Sequence, residues 1–428
     1  MRSNQPDKPR RAESTLLPAE QPRSAPAAVR ILTLIAGLCI AVLGLLIGSL
    51  SILVGSLGDP LNRFAVVTAG SSIIAAGTGL GLAVAWQAWH SLQGKPSAPF
   101  RPRGGWLLVL AFLLIVATGQ AILSLNLLPA AAFAPFHILA GVLPPLAILA
   151  LVGRRLGGWA WGRDVILQLG SGGLLSTPLA FFLEMAALMA LSIAALLGLA
   201  LRPGGLALLE ELAALLETGS WVNDPTQLVP AIVAPSFILL VLLVVAGIVP
   251  LVEEAVKTIG LGLMAYRRPE RSQAFLWGLA SGAGFALVEG LLNTSSASEN
   301  WAAVILLRVG GTLLHCFTGG LMGLAWHQLI SGARWRPATG LYLSSVAIHS
   351  LWNALSLGIG LLSLDGLGSA RAGPGPGIAG LGTAALLGAL ALVALAMGIG
   401  LVGLTLWLRA RNISEAPMPG TGSQRHDR

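Results

Sequence analysis

The sequence predicts an all-α, polytopic integral membrane protein, a helical bundle of about ten transmembrane helices, and three observations predict it. Only 10% of the 428 residues are charged against 55% hydrophobic, with a mean hydropathy of +0.80, where a soluble domain carries roughly 25% charged residues. Those charges gather in short clusters between apolar runs long enough to cross a bilayer, which takes roughly 20 residues at 1.5 Å rise each. The cations also fall on alternate inter-run segments, as the positive-inside rule requires of a correct span count.

Residues 1–29 are polar, basic and Pro-rich without periodicity, and read as a disordered cytoplasmic tail. The apolar run 31–56 is too long for a signal-peptide core and reads as a retained anchor. Spans at 64–89, 105–126, 134–152 and 175–201 complete a set of five N-terminal helices within residues 30–201. Segment 202–232 is the one long outer loop. In it Leu206, Leu209, Leu212 and Leu216 line one helical face, with Glu210, Glu211 and Glu217 elsewhere. That is the pattern of an interfacial helix, acting either as a connector resting on the membrane or as a gate. Spans at 233–265, 274–293, 301–330 and 339–364 form a four-helix core region, 233–364. Residues 365–408 supply a loop and a last span at 378–408, before a second disordered cytoplasmic tail, 409–428.

Outside these spans, 21 Lys and Arg lie on one side and 3 on the other. The rule therefore places both termini in the cytoplasm. It also accounts for the excess of 26 Lys+Arg over 18 Asp+Glu, so no nucleic-acid partner is expected. The abundant glycine (54 residues) suits close helix packing in lipid. Cys39 and Cys316 fall inside apolar spans, with no disulfide framework and no CxxC pattern. Glu184 is the one clear mid-span charge before residue 230 and reads as a hydrogen-bonding carboxyl.

Ionisable groups inside spans default to a functional hypothesis, and the four core spans hold a dense set: Glu253, Glu254 and Lys257 on the first, Glu289 on the second, His315 on the third, His349 and Asn353 on the fourth. Counted from the basic loops at 1.5 Å per residue, Glu253 lies roughly 21 Å in, Glu289 and His315 roughly 24 Å, and His349 roughly 18 Å. Four antiparallel helices thus bring polar groups to one depth. Gly278, Gly282, Phe285 and Glu289 form a single stripe, in which the glycines allow close approach beneath a carboxylate. Glu253 and Lys257 are one turn apart and are expected to pair, leaving Glu254, about 100° around the helix, freer to hold a water; the close alternative is the i,i+3 pair of Glu254 with Lys257. Arg308 reads as a cation near the outer boundary.

This ordered set resembles the PrsW family of intramembrane proteases, a branch of the CAAX-protease/bacteriocin-processing superfamily. The resemblance rests on Glu253-Glu254-x-x-Lys257, Phe285-x-x-x-Glu289, His315 and His349-x-x-x-Asn353, one motif per helix. It covers 233–364. It implies cleavage of a peptide bond in a membrane-anchored protein substrate, in the lipid bilayer, with a bacterial plasma membrane as the expected location.

Hydrolysis there needs a base for water and donors for the oxyanion. Glu254 or Glu253 can serve as base, His349 or His315 as acid or orienter, and Asn353 as oxyanion donor. No cofactor is needed for that route. Alternatively a divalent metal such as zinc is held by two His and one Glu, with His315, His349 and Glu289 as candidates and another Glu as base. The HExxH signature is absent, and the metal-free route is slightly preferred. Three rival readings use the same region: a transporter with a midplane charge cluster, a non-catalytic membrane scaffold, and a rhomboid-like serine protease built on Ser281-Gly282 and the Gly-packed His315 helix. The last leaves the three glutamates unexplained.

Overall fold

The computed structural model describes residues 25–414 except 59, 126, 128–129, 157–159, 220–234, 298–299, 333 and 370–377. The two expected tails thus lie largely outside the described residues, as do most of the outer loop after the interfacial helix and the end of the loop before the last span. Among the described residues there is no strand, and ten helices are long and apolar enough to cross a membrane. The chain is an integral membrane protein.

In order, the helices are α1 (Ala27–Leu57), α2 (Pro60–Leu92), α3 (Gly105–Ser124), α4 (Ala130–Leu156), α5 (Gly162–Ala200) and the short α6 (Gly205–Thr218). Then follow α7 (Phe237–Leu263), α8 (Arg271–Asn293), α9 (Trp301–Gly332), α10 (Trp335–Ser369) and α11 (Ile378–Ser414). Helix α6 stands where the interfacial helix is expected, with Leu206 and Leu208 exposed.

Helix α5 begins at Gly162, well before the expected 175, because its polar first turns are paired rather than solvated. Arg267 NH1 donates to Asp164 Oδ1 at 2.6 Å, and Gln168 Nε2 donates to Met264 Sδ at 3.0 Å. Both partners lie about 100 residues away in sequence.

Helix α8 is the centre of the bundle, buried on all sides from Ala274 to Leu287, as expected of a helix apolar all round. Its glycine stripe faces α9. A Cβ on Gly278 would stand 2.1 Å from the Gly319 carbonyl oxygen, and one on Gly282 would stand 2.0 Å from that of His315. Any side chain there forces the helices apart, at a cost of roughly 1–3 kcal/mol for overpacking. Helix α4 is tied to the same centre through a buried relay, in which Trp301 Nε1 donates to His137 Nδ1 and His137 Nε2 donates to the Leu291 carbonyl.

Two helices are interrupted by single π-helical turns, at Gly172–Ser176 in α5 and Leu243–Ile248 in α7. Each precedes a proline, Pro178 and Pro250. Proline has no N–H and its ring crowds the preceding turn, so the helix takes up an extra residue. Helix α7 breaks again at Lys257–Thr258, where Thr258 leaves helical dihedrals. The Lys257 carbonyl freed by that break accepts two hydroxyls, Ser176 Oγ at 3.0 Å and Ser281 Oγ at 2.6 Å. Trp326 Nε1 donates to Thr258 Oγ1 at 3.0 Å. Ser281 is thus committed to holding a backbone break, which removes the hydroxyl on which a serine-protease reading depends.

Candidate active site

The turn that carries the acidic pair is regular: Lys257 keeps helical dihedrals, and its backbone N–H bonds to the Glu253 carbonyl at 2.8 Å. Within that turn the Lys257 ammonium lies on Glu254. Lys257 Nζ donates to Glu254 Oε1 at 2.5 Å, with both side chains fully buried. The expected Glu253–Lys257 pair is therefore corrected to Glu254–Lys257, the i,i+3 contact of the same helical turn. Two further groups converge on the same oxygen: Thr318 Oγ1 donates to Glu254 Oε1 at 3.1 Å, and His349 Nδ1 donates to it at 2.8 Å. Glu254 Oε2 is buried and has no protein partner.

A second carboxylate–imidazole pair stands beside the first. His315 Nε2 lies 2.8 Å from Glu289 Oε2, which also receives Arg308 NH2 in an ion pair. Asn293 Nδ2 donates to Glu289 Oε1 at 3.0 Å. Arg308, expected to be a boundary cation, is thus part of the site. Phe285 covers both halves. Its ring centroid is 5.2 Å from Lys257 Nζ and 5.2 Å from the His315 ring, so the stripe of α8 presents Phe285 and Glu289 to α9.

These pairings determine which imidazole nitrogens are free. A carboxylate only accepts, so the nitrogen facing it carries the hydrogen, and the other nitrogen of a neutral ring offers a lone pair. The free nitrogens are therefore His315 Nδ1 and His349 Nε2. Both point at one oxygen, Glu253 Oε2, each at 3.8 Å. Glu253 Oε2 and His315 Nδ1 are buried without a hydrogen-bond partner, a costly arrangement unless something fills the space between them.

Glu253, His315 and His349 place one ligand atom each within 4.8 Å of one another. Tetrahedral zinc with bonds near 2.0–2.1 Å needs ligand atoms roughly 3.4 Å apart, so a small closure of these side chains suits the ion. Each His is backed by a carboxylate, the usual support of a metal-bound imidazole. Among the candidates for the third ligand, Glu289 has both oxygens engaged, and the free oxygen belongs to Glu253.

Asn353 is placed differently from its expected role. Its Nδ2 donates to the Val245 carbonyl at 2.9 Å. In the π-helical turn Val249 N–H bonds to Val244, so the next donor in the ladder would be residue 250, which is proline. Asn353 supplies the missing hydrogen and ties α10 to α7 one turn from His349. Glu184 on α5 lies within electrostatic reach of Glu253, Glu289 and Lys257, with Oε1 buried and unpartnered.

Of the residues the sequence singled out, the structure brings Glu253, Glu254, Lys257, Glu289, His315 and His349 together, and it adds Thr318, Arg308 and Ser176, which the sequence reading had not placed there. A Thr one helical turn from His315 on the same span, and an Arg two turns away on the other side, were visible signals for the first two.

Residues 165–367 match the family model of the PrsW family intramembrane metalloproteases. The match takes in α5 from Val165 onward as well as the four helices that carry the motifs. No curated protein and no solved structure matches the chain.

Proposed function

We propose that this membrane protein, matched over residues 165–367 by the PrsW family of intramembrane metalloproteases, hydrolyses a peptide bond in a membrane-anchored protein with the help of one divalent metal ion. The observation that carries the reading is the convergence of His315 Nδ1, His349 Nε2 and Glu253 Oε2, two of them buried without partners. Glu253, His315 and His349 hold the ion, zinc being the metal best suited to two imidazoles and a carboxylate. A bound metal of this kind acidifies water and polarises a carbonyl oxygen.

The remaining residues orient and move protons. Glu289, clamped by Arg308 and Asn293, fixes the ring and tautomer of His315. Glu254 does the same for His349 through Oε1. Lys257 and Thr318 hold that oxygen in place, leaving Oε2 free to take the proton of an attacking water and pass it to the leaving amine. Asn353 positions the α7 backbone and acts through it. Phe285 and the tight α8–α9 contact keep bulk water from the pairs.

Metal analysis of the detergent-purified protein tests this. One divalent ion per chain is expected. Its removal by a chelator should abolish cleavage of a membrane-anchored reporter, and zinc should restore it. Undiminished cleavage by metal-free protein would overturn the metal reading and leave the glutamate-only route, which uses the same carboxylates.

The loop-charge asymmetry supports a plasma-membrane orientation with both termini cytoplasmic. In a cysteine-free background, Lys95→Cys and Glu210→Cys should then label from opposite sides, with Lys95→Cys reached from the cytoplasm. Labelling of both from one face would defeat that orientation.

A further inference from the structure

A second site lies away from the carboxylate–histidine cluster, at the basic end of the bundle. Helix α1 packs chiefly on α2. Its other flank is separated from α5 and the end of α7 by a cleft of about 470 Å³. The walls are apolar, with Leu32, Ala36, Ile40, Leu174 and Leu263 among them. Along α1 they run from Arg30 to Ile40, roughly 15 Å at 1.5 Å per residue.

At the basic end the cleft opens into a polar pocket of about 300 Å³, and Arg30, Ser91, Arg163 and Arg267 line both. The polar pocket is lined by four cations, Arg30, Lys95, Arg163 and Arg267, against one carboxylate, Asp164. Asp164 pairs with Arg267 through Oδ1 at 2.6 Å, and its Oδ2 is buried without a partner among the described residues. Among the described residues the Arg30 and Arg163 guanidiniums bond to backbone carbonyls, of Ser91 and Lys95, and the Nε of each is buried without a partner. On the cleft wall Gln168 Oε1 and Ser171 Oγ are also buried without partners. A pocket whose described lining carries three more cations than carboxylates, continuous with an apolar slot parallel to the helices, is complementary to one kind of molecule.

We propose that this cleft binds an anionic phospholipid. The headgroup phosphate sits among Arg30, Lys95 and Arg163, one acyl chain lies between α1 and α5, and Ser171 donates to the glycerol ester region. Charge complementarity selects the headgroup, and the apolar slot selects a lipid over a free anion. Residues 1–24 carry net positive charge, which makes them a poorer occupant of a basic pocket.

The test is native mass spectrometry of the full chain in detergent, titrated with phosphatidylglycerol, phosphatidylcholine or inorganic phosphate. Phosphatidylglycerol should be retained at one per chain, at least tenfold more tightly than phosphatidylcholine, and inorganic phosphate should not displace it. Ala36→Trp fills the slot from an exposed position, and Lys95→Gln removes an exposed cation whose backbone carries the local bond. Each should weaken phosphatidylglycerol retention several-fold without loss of folded protein. Equal retention of the two lipids, full displacement by inorganic phosphate, or indifference to both substitutions would overturn the proposal. So would retention that appears only after removal of residues 1–24, since that segment would then be the natural occupant.

Discussion

Glu253→Gln is expected to abolish cleavage and metal binding while leaving the amount of folded protein in the membrane near normal. Glu253 Oε2 faces His315 Nδ1 and His349 Nε2 and pairs with no cation. Its neutral isostere therefore strands no buried charge. What is lost is the anionic oxygen that completes the donor set, and a site left with two imidazoles binds zinc far more weakly than one with three ligands. The measurement is metal content and reporter cleavage, each normalised to the chain recovered from membranes. A Glu253→Gln protein that keeps its metal and its activity would remove Glu253 from the ligand set.

Glu254→Gln should have the opposite profile on abundance. Lys257 is fully buried and its ammonium bonds to Glu254 at 2.5 Å. Removing one partner of such a pair leaves an uncompensated charge, at roughly 3–5 kcal/mol, so the single variant should accumulate poorly. It should also lose the proton acceptor, a factor of roughly 10²–10⁴ in rate. The two losses separate in the double variant Glu254→Gln/Lys257→Met. There abundance should recover, because the stranded charge is gone, and cleavage should not. Recovery of both would show that Glu254 only stabilises the fold. Recovery of neither would show that the pair is not what holds this region together. The sequence alone, with Lys257 assigned to Glu253, leads to the reverse expectation for the abundance of the two single variants.

That reversal marks the boundary of what local pattern can reveal. The helical turn from Glu253 to Lys257 permits both the i,i+4 and the i,i+3 pair, and the groups that other helices bring to the carboxylates differ: Thr318 and His349 converge on Glu254 Oε1. On either side of that turn α7 is irregular, with a π-helical turn before Pro250 and a break at Thr258. The second break persists because the Lys257 carbonyl finds Ser176 from α5 and Ser281 from α8. No window along α7 contains those hydroxyls. The start of α5 was hidden for a related reason: Arg163, Asp164 and Gln168 read as loop because their polarity is visible and their partners are remote. Asn353 carries the right chemistry for an oxyanion donor, yet the nearest unmet demand is a carbonyl left without an N–H by a proline on another helix.

By itself the sequence determined the class of the protein, the number of helices able to cross a membrane, and which spans bring ionisable side chains to one depth. Each of these follows from a property of one segment: the length of an apolar run, the exclusion of charge from lipid, and the depth of a residue counted along its own helix. The tertiary structure alone decided which carboxylate meets which cation, which nitrogen of each imidazole is left free, and which glutamate faces both. Those depend on the rotation of four helices about their axes and on the breaks within them. Rotation is set by the glycine faces that lock α8 to α9, and the breaks by hydroxyls from neighbouring helices. A shift of one residue in either would turn Glu253 away and bring another group to the histidines.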